Sequence, residues 1–336
     1  MAQYCINLGI TKSLVLKICE IGRSSFYYKP PLGAKKAGRI FSKITQKITG
    51  GYDDNQLVIE YIKLLLAEPF VDYGYLKVTF FLRDEKNYII NPKKIYRLMK
   101  ENSLLCDEKG TRKFSKRQWV TELVPKPIKE FTYFEFDIKY IYIQGKKTNA
   151  QVLTVIDVFS RWNMEHIIKW NIRQEDVIIL FDKIFETYHL PDSFYVRNDN
   201  GSQFIANSVQ QYFQDKNVIQ EFTKPATPEQ NAHIESYHSI MESVVCKRYE
   251  FDDLKDAILT MNQFREFYNF KRIHSGVKYK SPYKFLLNRG IDMKKIKLTN
   301  WKMCPKIRGL SQFNSYILKG FNRHLMIKHA GEITQT

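Results

Sequence analysis

The stretch from residue 131 onward constrains the fold most. YFEFDIKYIYIQ, at 133–144, alternates its side chains as a strand does, and GKK turns the chain into a second such run, NAQVLTVIDVFS. MEHIIKW reads as a third strand, SFYVRND as a fourth and VIQEFTK as a fifth. Helical spacing covers about 173–188, resumes after Asn207, and returns over about 229–248 and 252–268. Three strands in a meander, then alternating helices and strands, predict an α/β fold built on a mixed sheet.

The preceding chain reads differently. Over residues 1–30 short helices alternate with stops: Gly9 ends one, with Thr11 or Ser13 placed to cap the next, and Gly22 ends another, with Ser24 placed to cap a third. Residues 31–55 read as a loop. In NQLVIEYIKLLLAEP the residues Val58, Ile59, Ile62, Leu65 and Leu66 share one helical face. Asn91 and Pro92 then open a helix whose inner face is Ile95, Leu98 and Met99 and whose outer face carries Lys93, Arg97 and Lys100, with Lys94 beside them. A basic outer face on the second helix of a helix-turn-helix suits DNA, and a solvated face is the plain alternative. Residues 107–130 are basic and proline-containing, a linker in which Lys113, Lys116 and Arg117 are candidate phosphate contacts. The expected order is an N-terminal helix-turn-helix-like segment (1–50), a helix-turn-helix DNA-binding domain (51–106), the linker (107–130), a catalytic domain (131–290) and a basic tail (291–336).

Charge narrows the partners. Lys and Arg outnumber Asp and Glu by 53 to 35, a formal net charge of +18, and such a surface draws in polyanions, nucleic acid first. No apolar run reaches the ~18–20 residues of a membrane span, and the N-terminal residues lack signal-peptide order. Five cysteines are scattered without zinc-ligand or C-x-x-C spacing, which excludes a zinc ribbon or a thioredoxin-like redox pair.

Three acidic residues stand out. Asp137 lies within the first strand of the sheet, on the same face as Glu135 and Lys139 and opposite Phe134, Phe136 and Ile138. Asp199 ends the fourth strand, with Asn200 and Gly201 placed to turn the backbone. Glu235 lies in the helix PEQNAHIESYHSIMES, with thirty-five residues between it and Asp199. Taken singly, Asp199 reads equally as a turn carboxylate and Glu235 as part of a solvated helix face.

Together the three resemble the D, D, thirty-five, E triad of the retroviral-integrase and transposase superfamily. Within it the chain is most similar to the second-reading-frame transposases of insertion-sequence family three. FEFDIKYI resembles their first-Asp strand, VLTVIDVFSRW the next strand, VRNDNGSQF the second-Asp turn, TPEQNAHIES the Glu helix and FYNFKRIHSGVKYKSPYKF the closing stretch, while YGYLKV and NPKKIYRLMKENSLL resemble their helix-turn-helix region. The resemblance implies an RNase H-like five-stranded mixed sheet with flanking helices, preceded by small all-α DNA-binding regions. It implies an enzyme that nicks one strand at the ends of an insertion sequence and joins the freed 3′-OH to a second phosphodiester. Asp137, Asp199 and Glu235 would be both its catalytic residues and the ligands of two Mg²⁺ or Mn²⁺ ions. Asp157, Asn231, Arg272 and His274 are candidates for supporting roles around that site; Asp157 reads equally as a brace of the sheet, Asn231 as a cap, and Arg272 with His274 as packing for the last helix. Expected partners are double-stranded DNA (terminal inverted repeats and target), further copies of the chain when two ends are synapsed, and an upstream-frame protein or fusion, with no membrane; the expected location is the bacterial cytoplasm, at the nucleoid. A DNA-binding regulator or relic without chemistry, and a plain RNase H-like nuclease, are the alternatives.

The sequence also departs from the family pattern. Lys139 stands where a small polar residue is usual, Ala226 where many relatives have Gly, and Glu242 where the family often has a Lys near substrate DNA. Lys247 or Arg248 is placed to supply the missing cation, and the tail after about residue 290 is long for the family.

Overall fold

The computed structural model describes residues 2–28, 41–106, 126–224 and 228–297. The linker positions Lys113, Lys116 and Arg117, the departure at Ala226 and nearly all of the C-terminal tail lie outside the described residues. The chain divides into two compact units, residues 1–44 and 45–336. The first holds three short helices, α1 (Ala2–Asn7), α2 (Lys12–Ile18) and α3 (Arg23–Tyr27). Gly9 takes φ +88°, the left-handed turn that stops α1. Thr11 precedes α2 without a side-chain cap bond. Gly22 rather than Ser24 sits at the N-cap of α3, because that helix already begins at Arg23.

The second unit opens with two short strands inside the stretch read as loop, β1 (Ile44–Lys47) and β2 (Tyr52–Asp54). After α4 (Asn55–Ala67) and α5 (Tyr75–Lys86), β3 (Tyr88–Ile89) joins them in a small sheet of order β2-β1-β3. Asp54 caps α4 by accepting from the Gln56 N–H at 2.7 Å. Asn91 caps α6 (Pro92–Glu101) by accepting from the Lys93 N–H at 2.9 Å. Val58, Ile59, Ile62 and Leu65 of α4 are buried, as are Ile95, Leu98 and Met99 of α6.

The main sheet has five strands: β4 (Tyr133–Ile143), β5 (Thr148–Asp157), β6 (Asn163–Lys169), β7 (Phe194–Asn198) and β8 (Val218–Phe222), in the order β6-β5-β4-β7-β8. β4, β5 and β6 form the antiparallel meander, and β7 and β8 add in parallel. On one face Phe134, Phe136, Leu153 and Val155 pack against the helices Gln174–Thr187 and Asn207–Asp215. On the other, Ile141, Ile143, Val152 and Ile156 share a core with the helices Ala232–Met241 and Leu254–Glu266 and with the inner faces of α4, α5 and α6. The helix-turn-helix region is therefore seated on the sheet, locked by a two-pronged ion pair from Arg272 to Asp72 at 2.6 and 3.1 Å and by Phe80 stacked on Tyr279.

Candidate active site

The period-two geometry of β4 sends Glu135, Asp137 and Lys139 toward the Ala232–Met241 helix and the phenylalanines between them to the other side. Glu135 is fully buried and accepts from the N–H groups of His233 and Ile234 at 2.9 and 2.8 Å. These are donors that an N-cap side chain ordinarily satisfies. Asn231, at the N-cap position, makes no such bond, and its buried Oδ1 has no partner among the described residues. A carboxylate from the middle of the sheet thus does the capping and ties the start of the Glu235 helix to the strand that carries Asp137. Burial raises the Glu135 carboxyl to about 7, against the pull of the two N–H groups.

Asp137 accepts from the Ile138 N–H at 2.7 Å, and its other oxygen lies 3.5 Å from Nδ1 of His238, one turn beyond Glu235. Burial, and then the negative charges of Asp199 and Glu235, raise the Asp137 carboxyl to about 7. Asp199 and Glu235 therefore stand within electrostatic reach of Asp137. Burial and Lys139 lower His238 to about 3, so the imidazole beside Asp137 is neutral.

Asp199 is the first residue beyond β7 and is exposed. Its Oδ1 accepts from the Gly201 N–H at 2.9 Å, closing an Asx turn that aims the carboxylate. The glycine contributes space for its neighbours' side chains rather than backbone freedom. Its φ is −59°, open to any residue, but an added Cβ would come within 2.4 Å of the Gln203 amide and 3.1 Å of the Asp199 carboxylate. Asn200 donates to the Thr223 carbonyl at 2.9 Å, pinning the turn to the end of β8.

Among the described residues no three His, Cys, Asp or Glu side chains are drawn together tightly enough to enclose a metal ion. Asp137, Asp199 and Glu235 are coupled electrostatically but do not form a closed cage. Their chemistry suits a hard divalent cation: the donors are all oxygen, two of the three are exposed, and the third is raised first by burial and then by negative charge that a cation would offset.

The supporting candidates fall elsewhere. Asp157 pairs in register with Phe134, on the face of the sheet away from Asp137. It is a brace: its buried carboxylate accepts from the N–H groups of Phe131 and Ser160 and from the Ser160 hydroxyl. Arg272 holds Asp72, and His274 packs edge-on against Tyr268 at 4.6 Å. Lys93 and Lys100 are exposed on α6, while Arg97 pairs with Glu101 at 3.0 Å. The role of Glu135 went unread in the sequence, although its two-residue offset from Asp137 placed it on the same face.

Two of the departures meet in space. Lys139 Nζ lies 3.2 Å from Glu242 Oε2, a strand-to-helix ion pair at one edge of the candidate site. The cation that faces Glu242 therefore stands on the strand rather than on the helix. Arg248 is engaged elsewhere, donating to the Val71 carbonyl at 3.0 Å, whereas Lys247 is exposed.

Comparison with known proteins agrees with this architecture. The integrase core domain family matches residues 129–228 and, through a second such family, 216–282; an HTH-like domain matches 53–112. The transposase for insertion sequence element IS904 of Lactococcus lactis is 25% identical over 69% of this chain and 94% of its own length. An insertion element IS476 protein of Xanthomonas euvesicatoria is 28% identical over 66% of this chain, which spans 63% of that relative. The HTLV-2 integrase catalytic core domain in complex with magnesium superposes with a TM-score of 0.38 at 14% identity, over 48% of this chain and 99% of that one. No helix among the described residues is long and apolar enough to cross a membrane. With an integrase-core match behind an HTH-like match, and insertion-sequence transposases among its sequence relatives, the chain is similar to insertion-sequence transposases over both regions.

Proposed function

We propose that the protein binds the ends of its own insertion sequence, hydrolyses one strand there to free a 3′-OH, and joins that hydroxyl to a second phosphodiester. The observation that carries this reading is that Asp199 and Glu235 act electrostatically on Asp137, in the middle of the sheet, with each of the three held by a separate device. Asp137 comes from β4, Asp199 from the Asx turn after β7, and Glu235 from a helix capped by Glu135. These three would hold two Mg²⁺ or Mn²⁺ ions, which when bound stabilise the negative charge on the attacking and leaving oxygens of an in-line displacement. His238 steadies Asp137. Exposure of Asp199 and Glu235 leaves the site open to a duplex. The helix-turn-helix region (51–106) and the linker (107–130) would grip the DNA, with Lys93, Lys94, Arg97, Lys100, Lys113, Lys116 and Arg117 as phosphate contacts. The catalytic domain would span 131–290. Synapsis of two ends would bring further copies of the chain together, and the setting would be the bacterial nucleoid.

Purified chain, end-containing duplex and a magnesium titration test the reading. Nicked strands ending in a 3′-OH, followed by joined products, are expected only when cation is present. Cation-dependent cleavage without joining would reduce the protein to a nuclease, and binding without products at any magnesium concentration would reduce it to a regulator.

A further inference from the structure

Behind the Glu235 helix lies a cavity of about 390 Å³, lined by Lys77, Arg161, His233, Ser236, Ile240, Tyr268, Arg272, His274, Ser275 and Gly276. His233, Ser236 and Ile240 are spaced i, i+3 and i+7 and form one face of that helix, whereas Glu235 and His238 belong to another. The cavity is thus separate from the carboxylate site. Three cations line it, one each from α5, the turn between β5 and β6, and the closing stretch, and no carboxylate lines it among the described residues.

Two buried groups in the lining lack partners. The Nη atoms of Arg272 are occupied by Asp72, but its Nε is buried with no hydrogen bond among the described residues. Nε2 of His274 is likewise buried without a partner among the described residues, but the neutral ring donates to the Tyr268 backbone through its other nitrogen, so Nε2 gains a donor proton only when an anion stabilises the imidazolium. Arg272 is 1% exposed and His274 8%, so water at the surface does not satisfy them. The Arg272 Nε–H is a buried donor left unmade, which is costly, and an anion in the cavity that Arg272 lines would complete it. Arg161 is held in place on both sides: its guanidinium donates to the Val158 carbonyl, and a Cβ on Gly276 would come within 3.3 Å of its Nε. Hydroxyls of Ser236 and Ser275 add donors at the exposed mouth. Lys77, Arg161 and Arg272 also hold the His274 imidazole well below the usual histidine range, beyond the effect of burial, and an anion among them would reverse that field.

We propose that this cavity is a phosphate-binding pocket that seats one backbone phosphate of the DNA, at the junction of the HTH-like region and the core. Guanidinium, ammonium and hydroxyl donors around a cavity with no carboxylate in its described lining, although Asp72 pairs with Arg272 behind it, are the chemistry that recognises a phosphodiester. The DNA source rests on the function proposed above. It gives the enzyme a second grip on the strand, on a different face of the helix that carries Glu235.

The test is duplex binding by full-length protein, read by fluorescence anisotropy across a salt series. Lys77→Gln removes one cation, and Ser236→Asp, at an exposed position, places a carboxylate in the pocket. Each should weaken binding at least about fivefold and lower the slope of log affinity against log salt by about 0.9, the share of one phosphate. Lys183→Gln, on an exposed lysine outside the pocket, should change neither. Wild-type binding strength and slope in both pocket variants would overturn the proposal while leaving the proposed function standing. A melting temperature raised by inorganic pyrophosphate in wild type but not in Ser236→Asp, with duplex binding untouched in both, would mean a small free anion and equally overturn it. A wild-type chain that binds no duplex would remove both readings.

Discussion

Glu135 shows how a single side chain sets the geometry of a site it does not belong to. Truncation in Glu135→Ala would leave two buried N–H groups unpaired at about 1–3 kcal/mol each. Urea unfolding should therefore show a loss of roughly 2–4 kcal/mol, against a smaller loss for Glu135→Gln, whose amide oxygen can still accept. Equal losses would mean that capping is not its role. Asp157 gives a pH signature. Burial raises its carboxyl to about 6, so the folded state holds its proton more tightly than the unfolded chain does. That contribution is complete below the unfolded value near 3.8 and fades as pH rises through about 6. Thermal melts of Asp157→Asn should vary less with pH across that window than those of wild type, and parallel curves would contradict the assignment. At this scale the sequence was readable where a residue's task is local. Asn91 was recognisable as a cap from Pro92 beside it, and Asp199 as a turn residue from Asn200 and Gly201. Glu135 was not, because its partners are 98 and 99 positions away.

Elements are held by ion pairs of unequal worth. Arg272 and Asp72 join the closing stretch to the start of α5, with the Arg272 side chain 2% exposed and that of Asp72 18%. Breaking such a pair strands a buried charge, so Arg272→Ala should cost about 3–5 kcal/mol in chemical denaturation. Lys139 and Glu242 have side chains 33% and 38% exposed, and a double-mutant cycle on this pair should return a coupling of about 1 kcal/mol or less. A reversed ranking would mean that burial does not set these energies. The five long elements of the sheet were legible because alternation is a strong signal over five or more residues. β1 and β2 were not: strands of four and three residues carry no period, and they exist because β3 offers a pairing edge to β1 and β1 in turn offers one to β2. The exchange of charge between Lys139 and Glu242 was visible only as two separate oddities until the helix lay against the strand.

The whole chain combines a large positive charge with the acidic centre proposed above. A net charge of +18 predicts duplex binding that falls steeply between about 50 and 200 mM salt, and a flat response would mean that the charge serves another purpose. The proposed centre would draw on two strands and a helix that a reader of the sequence can connect only through spacing, since Glu235 acts electrostatically on Asp137 from far along the chain. Its unity is open to direct measurement. Single-turnover cleavage of end-containing DNA should fall by about 10³-fold or more in each of Asp137→Asn, Asp199→Asn and Glu235→Gln, and the triple variant should be no slower than the worst single one, because residues that act as a unit are lost together. Any one of the three single variants cleaving within about tenfold of wild type, or losses that multiply in the triple variant, would contradict a shared centre.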